Sequence, residues 1–450
     1  MSTPKKRPFR SPGVWIPYWF ADGAISARFR SPPPMSQIRH AIGFMSGTSL
    51  DGLDAAIVRT EGRGRDLRAS VLTHRETTTP EHDPTTGTLR ELARGGRLTA
   101  TDITEAVMTM GRRHAELIAP TCRDAGLDPH RDLDLVAIHG QTVTHRPPRS
   151  WQLVDPWPVA AVVTCPVVCD LRAADLAAGG AGAPITPLAD AALHQDLRSP
   201  DRTLLVLNLG GFANVTLLPG IDGEPVGFDC CACNHLLNSA SEAALDAAFD
   251  RGGKASSEGR VDETIVSEIS ERLGRLAGEG RSGGDGDEHR ELAITLARGA
   301  RTSGRPADAL ATLAAAIAAT VARSVQNRIR TASLPPLGAR FAAGGGTRNQ
   351  GLMAALDTAF RTIPDADAIE LRTTGTIGVP TQAREAAAIA ILGLLALDGT
   401  PITTVASTGR NASPPPSGLW IRGPGLQSDA SPSRVDRNDR GSEGGLLTPS

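Results

Sequence analysis

Gly43-Phe44-Met45-Ser46-Gly47-Thr48-Ser49-Leu50-Asp51-Gly52-Leu53-Asp54 and, about 160 residues later, Asn208-Leu209-Gly210-Gly211-Phe212-Ala213-Asn214 decide how the rest of this 450-residue chain reads. Apolar segments flank both strings, 41–42 and 55–58 around the first, 204–207 and 215–218 around the second. Each string is therefore predicted at the bend of a β-hairpin. Glycine lets backbone amides close on an anion, Ser, Thr and Asn add donors, and Asp51 or Asp54 can reach a phosphate-bound cation through water. Two such bends facing one another make a phosphate clamp; taken singly, either is also an ordinary strand-end turn.

A third string shifts the balance. Phe341-Ala342-Ala343-Gly344-Gly345-Gly346-Thr347-Arg348-Asn349 is a short apolar strand running into a triple glycine, with a helical stretch at 352–360 behind it. That arrangement opens a helix N-terminus where flat or anionic ligand parts can lie on bare backbone. Hairpin, hairpin, then strand-glycine-helix is the order in which actin-like, hexokinase-like phosphotransferases present two phosphate loops and an adenosine loop. The expected fold is thus α/β, a two-lobed actin-like ATPase (ribonuclease H-like) fold with a central nucleotide cleft. No Gly-x-x-x-x-Gly-Lys-Ser/Thr string is present, which removes the Walker-type alternative.

Composition agrees with a globular chain long enough for two domains: 40% hydrophobic and 21% charged. A formal net charge of −2 gives no electrostatic case for nucleic acid or membrane as a partner. No run is read as approaching the ~20 apolar residues of a membrane helix. Cationic side chains are nearly all Arg, with Lys only at Lys5, Lys6 and Lys254. Residues 1–38 lack usable periodicity and are expected to be a disordered or mis-started extension; 409–450, rich in Ser, Pro, Gly, Asp and Arg, is expected to be a mobile tail.

The cysteines are Cys122, Cys165, Cys169, Cys230, Cys231 and Cys233. With no export signal, reduced thiols in a cytoplasmic protein are the expectation. Cys230-Cys231-Ala232-Cys233-Asn234-His235 offers thiol and imidazole donors, but a paired Cys-x-x-Cys knuckle is absent, and no metal ligand is assigned.

Along the chain, Thr101 is read as the N-cap of a helix carrying Ile103, Val107, Met110 and Ile118 on one face. Residues 133–138 read as a buried strand ending at His139-Gly140-Gln141-Thr142, a polar cluster at a strand's carboxyl end. A strand region is expected over 159–168 and a loop over 278–288. Helices are expected at 306–330, where Leu313, Ile317, Val321, Val325 and Ile329 form one stripe, and at 381–397, apolar apart from Arg384 and Glu385. The two lobes are drawn as 39–200, with 382–408 packing back on it, and 201–381.

On these strings the chain resembles the anhydro-N-acetylmuramic acid kinase family. The matching residues are 45–54, 139–143, Asp170-Leu171-Arg172 with Asp175 and 179–184, 208–214, Phe228-Asp229, 344–349, and Gly378-Val379-Pro380 with Glu385-Ala386, in unbroken order over about residues 40–408. The resemblance implies an ATP- and Mg2+-dependent carbohydrate kinase. It would open the 1,6-anhydro ring of 1,6-anhydro-N-acetylmuramic acid with water and phosphorylate the freed 6-oxygen, giving N-acetylmuramic acid 6-phosphate for cell-wall sugar recycling. By position in the motif, Asp175 resembles the base that takes the water's proton, a helix cap or Arg172 partner being the alternative. Gly47, Thr48, Ser49, Asp51, Gly52 and Asp54 would cradle phosphates, joined by Gly210, Gly211 and Asn214 from the other lobe. Gly344, Gly345, Gly346 and Asn349 would hold the nucleoside end. His139, Gln141, Thr142, Arg172, Asp229 and Glu385 are candidate substrate contacts. The resemblance leaves a homodimer open.

Three departures stand out. After Phe228-Asp229 the family usually continues Thr-Gly-Pro-Gly-Asn, but here Cys230-Cys231-Ala232-Cys233-Asn234 follows. If that loop needs positive φ, a Cβ there is strained. The family's Pro-Pro-Lys-Ser-Thr-Gly-Arg-Glu string is missing near 278–291, and Thr374-Gly375-Thr376 replaces an acidic pair. Besides the leading reading, a kinase on another anhydro-sugar such as levoglucosan, a catalytically impaired nucleotide- or sugar-binding paralogue, and a metal- or redox-responsive protein built on the cysteines stay open.

Overall fold

The computed structural model describes residues 38–422, except 48, 49, 51, 81, 279–286 and 367. The extension expected at 1–38 therefore lies almost wholly outside the described residues. Thirteen strands appear among the described residues: β1 (Arg39–Met45), β2 (Gly52–Glu61), β3 (Arg68–Thr78), β4 (Leu135–Ile138), β5 (Gln141–Arg146), β6 (Arg149–Leu153), β7 (Val167–Cys169), β8 (Thr203–Leu209), β9 (Phe212–Pro219), β10 (Val226–Ala232), β11 (Leu337–Ala343), β12 (Arg372–Thr373) and β13 (Leu419–Ile421).

Two mixed sheets share one plan. The first has the order β13-β7-β4-β1-β2-β3 and the second β10-β9-β8-β11-β12. In each, a three-stranded antiparallel meander is extended by two parallel strands beside its first strand. Parallel neighbours require crossover connections, which the helices supply. Two copies of this order make the actin-like ATPase fold, and both glycine strings lie at the first bend of a meander, as the sequence predicts.

The helices are α1 (Pro84–Ala93), α2 (Ala100–Asp124), α3 (Trp157–Ala160), α4 (Ala173–Ala177), α5 (Pro187–Leu193), α6 (Asn234–Leu245), α7 (Lys254–Glu258), α8 (Glu263–Gly278), α9 (Asp287–Thr302), α10 (Pro306–Thr331), α11 (Gln350–Arg361), α12 (Ala383–Leu397) and α13 (Val405–Thr408). Period-2 alternation splits the first sheet's faces. Ile42, Phe44, Ile57 and Val136 pack with Ile118 and Cys122 of α2, while Ala41, Ala56, Leu135 and Ala137 pack with α12 and α5. The second sheet's core is built with α6, α8, α9, α10 and α11. Helix α12 lies almost on the strands, because a Cβ on Gly43 would fall 2.1 Å from the Ala386 carbonyl oxygen.

Helix α5 stands between the sheets: Ala189 and Ala192 join the first sheet's core, and Ala191 packs with Leu204, Val206 and Phe341 of the second. Between these alanines, Asp190 is buried and paired with buried Arg384 of α12 through two guanidinium nitrogens, Nε at 2.8 Å and Nη2 closer. Thr216 of β9 donates to the same carboxylate at 2.6 Å.

Several expectations change. Thr99, not Thr101, caps α2. Its hydroxyl accepts from the Asp102 amide (3.2 Å) and Asp102 accepts from the Thr99 amide (2.8 Å), a reciprocal box that places Thr101 inside the helix. The strand region at 159–168 is largely helix α3 and loop, because Pro156 and Pro158 start a helical turn; the strand covers only Val167–Cys169. The loop expected at 278–288 lies mostly outside the described residues, and its end belongs to α9. Of the tail, 409–422 is ordered against the fold: β13 pairs antiparallel with β7. Helix α10 is long and apolar enough to cross a membrane by length and composition, contrary to the expectation, yet 72% of its apolar window is buried inside the protein.

Asp190→Ala leaves the Arg384 guanidinium buried without its counter-charge and is expected to cost about 3–5 kcal/mol, read as a lower urea midpoint. A second expectation concerns pH. His114 on α2 is buried, its Nδ1 donating to the Met110 carbonyl at 2.6 Å and its ring set edge-on to Phe44, and burial pushes its pKa down to about 4. The unfolded chain takes up this proton near the ordinary value of about 6.5. Stability is therefore complete above that value and falls as pH drops toward 4, by about 2 kcal/mol from this group at about pH 5. Urea melts at about pH 7.5 and pH 5 should show a smaller loss for His114→Leu than for the parent.

Candidate active site

The carboxyl ends of β1, β4 and β8 bring the candidate residues together from both sheets. Across the second sheet, Asp229, Asn214 and Asn208 are direct neighbours on β10, β9 and β8, so their side chains share one face. Asn208 donates through Nδ2 to Oε1 of Glu385 at 3.2 Å. Glu385 follows Arg384 on the first turn of α12, so the buried ion pair fixes the backbone from which it projects.

Opposite stands Arg172, just before α4. Its Nε and Nη2 donate to Nε2 of His139 at 3.1 and 2.9 Å, and Nη1 donates to the Gly182 carbonyl at 2.6 Å. Burial lowers the guanidinium pKa to about 10, while Asp229 and Glu385 oppose that shift. Those two carboxylates therefore face Arg172 electrostatically. His139 donates through Nδ1 to the Gly140 carbonyl (2.9 Å) and accepts at Nε2, so its tautomer is determined. Burial, with the Arg172 charge added, pushes it down to about 3: it is a neutral ring that orients the arginine.

Asp175, the expected base, lies on α4 and is 2% exposed. Its Oδ2 accepts from the Gly182 amide at 2.8 Å, and Oδ1 accepts from the hydroxyls of Thr403 (2.5 Å) and Thr408 (2.8 Å). The alternative of an ion pair with Arg172 does not appear, since that guanidinium is spent on His139 and Gly182. The two threonines were not anticipated, and no local pattern signals them.

At the first hairpin, Gly47 accepts from the Leu50 amide (3.1 Å) and from Nε2 of Gln141 (3.3 Å). Thr48, Ser49 and Asp51 lie outside the described residues. Asp54 is half-buried at the start of β2, opposite Met45. Thr142 accepts a long bond from Gln152 at 3.4 Å. Among the described residues, Ser46 Oγ, Gln141 Oε1 and Asn208 Oδ1 are buried without a hydrogen-bond partner. Buried polar atoms are ordinarily paired; these three lie beside the hairpins, and others of the kind occur elsewhere in the fold.

The glycines divide by role. A Cβ on Gly211 would meet the His235 ring at 2.3 Å, and one on Gly52 would meet the Thr77 carbonyl at 2.0 Å, so both serve packing. Gly344 has φ +86 and lies against Asn208 and Leu209; Gly346 also packs on Leu209. Gly210 and Gly345 have room, with no atom nearer than 3.5 and 3.9 Å to an added Cβ. Asn349, expected to touch nucleotide, caps α11: Oδ1 accepts from the Leu352 amide at 2.9 Å and Nδ2 donates to Ser256 at 3.2 Å.

No residue of the cysteine string has a positive φ, although Cys233, just before α6, stands outside the helical and extended regions at φ −128, ψ −94. Cys230 is the extra residue of a β-bulge in β10. All are buried, and burial raises every thiol, Cys233 to about 12. No group of three His, Cys, Asp or Glu able to hold a metal occurs among the described residues.

The two-sheet topology is that of the actin-like ATPase plan, and the similarities that follow make the chain a carbohydrate kinase. The model of the family described as anhydro-N-acetylmuramic acid kinase matches residues 39–414. Relatives named anhydro-N-acetylmuramic acid kinase include those of Synechococcus sp. (strain CC9605), 34% identical over 82% of this chain and 96% of that protein, Salinibacter ruber, 32% over 86% and 97%, and Parasynechococcus marenigrum, 36% over 82% and 96%. The chain belongs to the anhydro-N-acetylmuramic acid kinase family.

Gly211→Ala should push the second bend off His235 and cost about 1–3 kcal/mol in thermal or urea melts. Adding His235→Ala should recover most of that loss, because the collision then has no partner.

Proposed function

We propose that this kinase acts on 1,6-anhydro-N-acetylmuramic acid with ATP, giving N-acetylmuramic acid 6-phosphate for cell-wall sugar recycling in the cytoplasm. Supporting this reading is one observation above the rest: the family match runs unbroken through the turn from Arg172 to Gly182, where a buried carboxylate is gripped by three donors. Water attacks the anomeric carbon, Asp175 takes a water proton, the bond from that carbon to the bridging oxygen breaks, and that oxygen takes the γ-phosphoryl group of ATP as the bond from the γ-phosphorus to the β–γ bridging oxygen breaks and ADP leaves. A positioned base contributes about 10²–10⁴-fold in rate.

Phosphoryl transfer depends on positioning and charge more than on covalent help. The amides around Gly47 and Gly210 receive the phosphates, and Gly345 leaves space for the nucleoside. Arg172, held by His139, meets the sugar between Asp229 and Glu385. Asp54 would hold Mg2+ alongside the phosphates, since that ion takes one or two protein carboxylates when it also binds substrate phosphates; when bound, it would supply positive charge at the transferring group. Closure of lobe 39–200, joined by 382–408, onto 201–381 would exclude bulk water.

A second reading, a plain anhydro-sugar such as levoglucosan as acceptor, draws on Cys230 and Cys231, which follow Asp229 where the family carries smaller or stiffer residues. Product analysis with magnesium, ATP and each sugar tests both. The N-acetylated anhydro-sugar is expected to give the higher kcat/KM, and a clear preference for levoglucosan would reverse the assignment. Asp175→Asn should bind ATP normally and lose at least about 10²-fold in turnover; parental turnover would refute the base.

A further inference from the structure

We propose that Thr403 and Thr408 are positioning residues for Asp175, and that the segment 403–408 ties the aim of that carboxylate to the seat of the second sheet. The inference rests on the reading of Asp175 as the base.

An ionised carboxylate has about four acceptor sites. Two on Oδ1 are taken by the Thr403 and Thr408 hydroxyls and one on Oδ2 by the Gly182 amide. The remaining site is on Oδ2, beside Gly180, where an added Cβ would fall 2.2 Å from that oxygen; Oδ2 is the atom assigned to take the proton from water. The hydroxyls thus fix the carboxyl rotamer and also select its working oxygen. Thr403, Thr404 and Thr408 are all buried, so water cannot replace these donors cheaply.

The same short segment turns its other side chains toward the second sheet. Thr404 donates to the Pro225 carbonyl at 3.0 Å, and Ser407 Oγ accepts from the Gly227 amide at 2.9 Å. Pro225 and Gly227 lead along β10 to Asp229, two residues on. One turn of chain, α13, therefore supports both the carboxylate proposed as base and the strand that carries the opposing substrate-side carboxylate. A shift of the second sheet is transmitted to Asp175 through Thr408, whose amide donates to the Thr404 carbonyl at 3.1 Å.

The test is steady-state kinetics of the full chain with ATP and anhydro-sugar for Thr403→Val, Thr408→Val, the double variant, and the matching Ser variants, each checked by thermal melting. Misplacing a reacting group by about 1 Å costs on the order of 10²-fold. Each Val variant should lose about 10-fold or more in kcat with both KM values nearly unchanged, and each Ser variant should restore the rate. Ser407→Ala should also lower kcat while sparing the KM for ATP. Parental kcat in the double Val variant, or equal losses in Val and Ser variants, would overturn the positioning role, and parental kcat in Ser407→Ala would overturn the link to β10. If the double variant does not fold, Thr403→Ala decides on the same criteria. Asp175→Asn in the same assay separates the two readings: if it is silent while the Val variants are fully active, only this inference fails, and if it is active, the base reading fails with it.

Discussion

The buried pair of Arg384 and Asp190 is the constraint on which the site's geometry depends. Taking both ions out of water is expensive, and it is tolerated because two guanidinium nitrogens and the Thr216 hydroxyl engage one carboxylate. The pair joins α12, α5 and β9, elements that belong to different sheets. The next residue, Glu385, then meets Asn208 at the end of β8. One short stretch of α12 thus carries an anchor and a cleft carboxylate side by side, while the alanines after them let the helix settle on the first sheet.

The hairpins at both glycine bends were legible in the sequence because each bend needs small residues between apolar runs, and that pattern is local; the order of strands in each sheet was not, since it depends on pairings between distant segments. The clustering of His139, Arg172, Asp229 and Glu385 was legible only as a resemblance, since their meeting depends on how two sheets face. Glycine identity does not say what surrounds it: Gly52 and Gly211 lie against neighbouring atoms, whereas Gly210 and Gly345 leave open space. Asn349 has the composition of a ligand contact and the geometry of a cap. Thr403 and Thr408 lie 228 and 233 residues from Asp175, and a hydroxyl that far away carries no mark of its partner.

The cysteine string illustrates substitution absorbed by packing. A bulge at Cys230 accommodates the extra residue of β10, and its side chain turns into the core beneath α10. Where the family usually carries glycine and proline, this chain places apolar volume in the core. The protonated thiols behave as small hydrophobes, so the backbone around Asp229 keeps its pairing with Asn214.

Strand β13 lies beyond the stretch matched by the family model and closes the first sheet along β7. Its three residues cover backbone groups that would otherwise present an open template for another chain, and being so short it offers little edge of its own. Shortening the protein to the matched region would strip that cover and invite self-association, so trimming for expression or crystallisation is best done beyond Ile421.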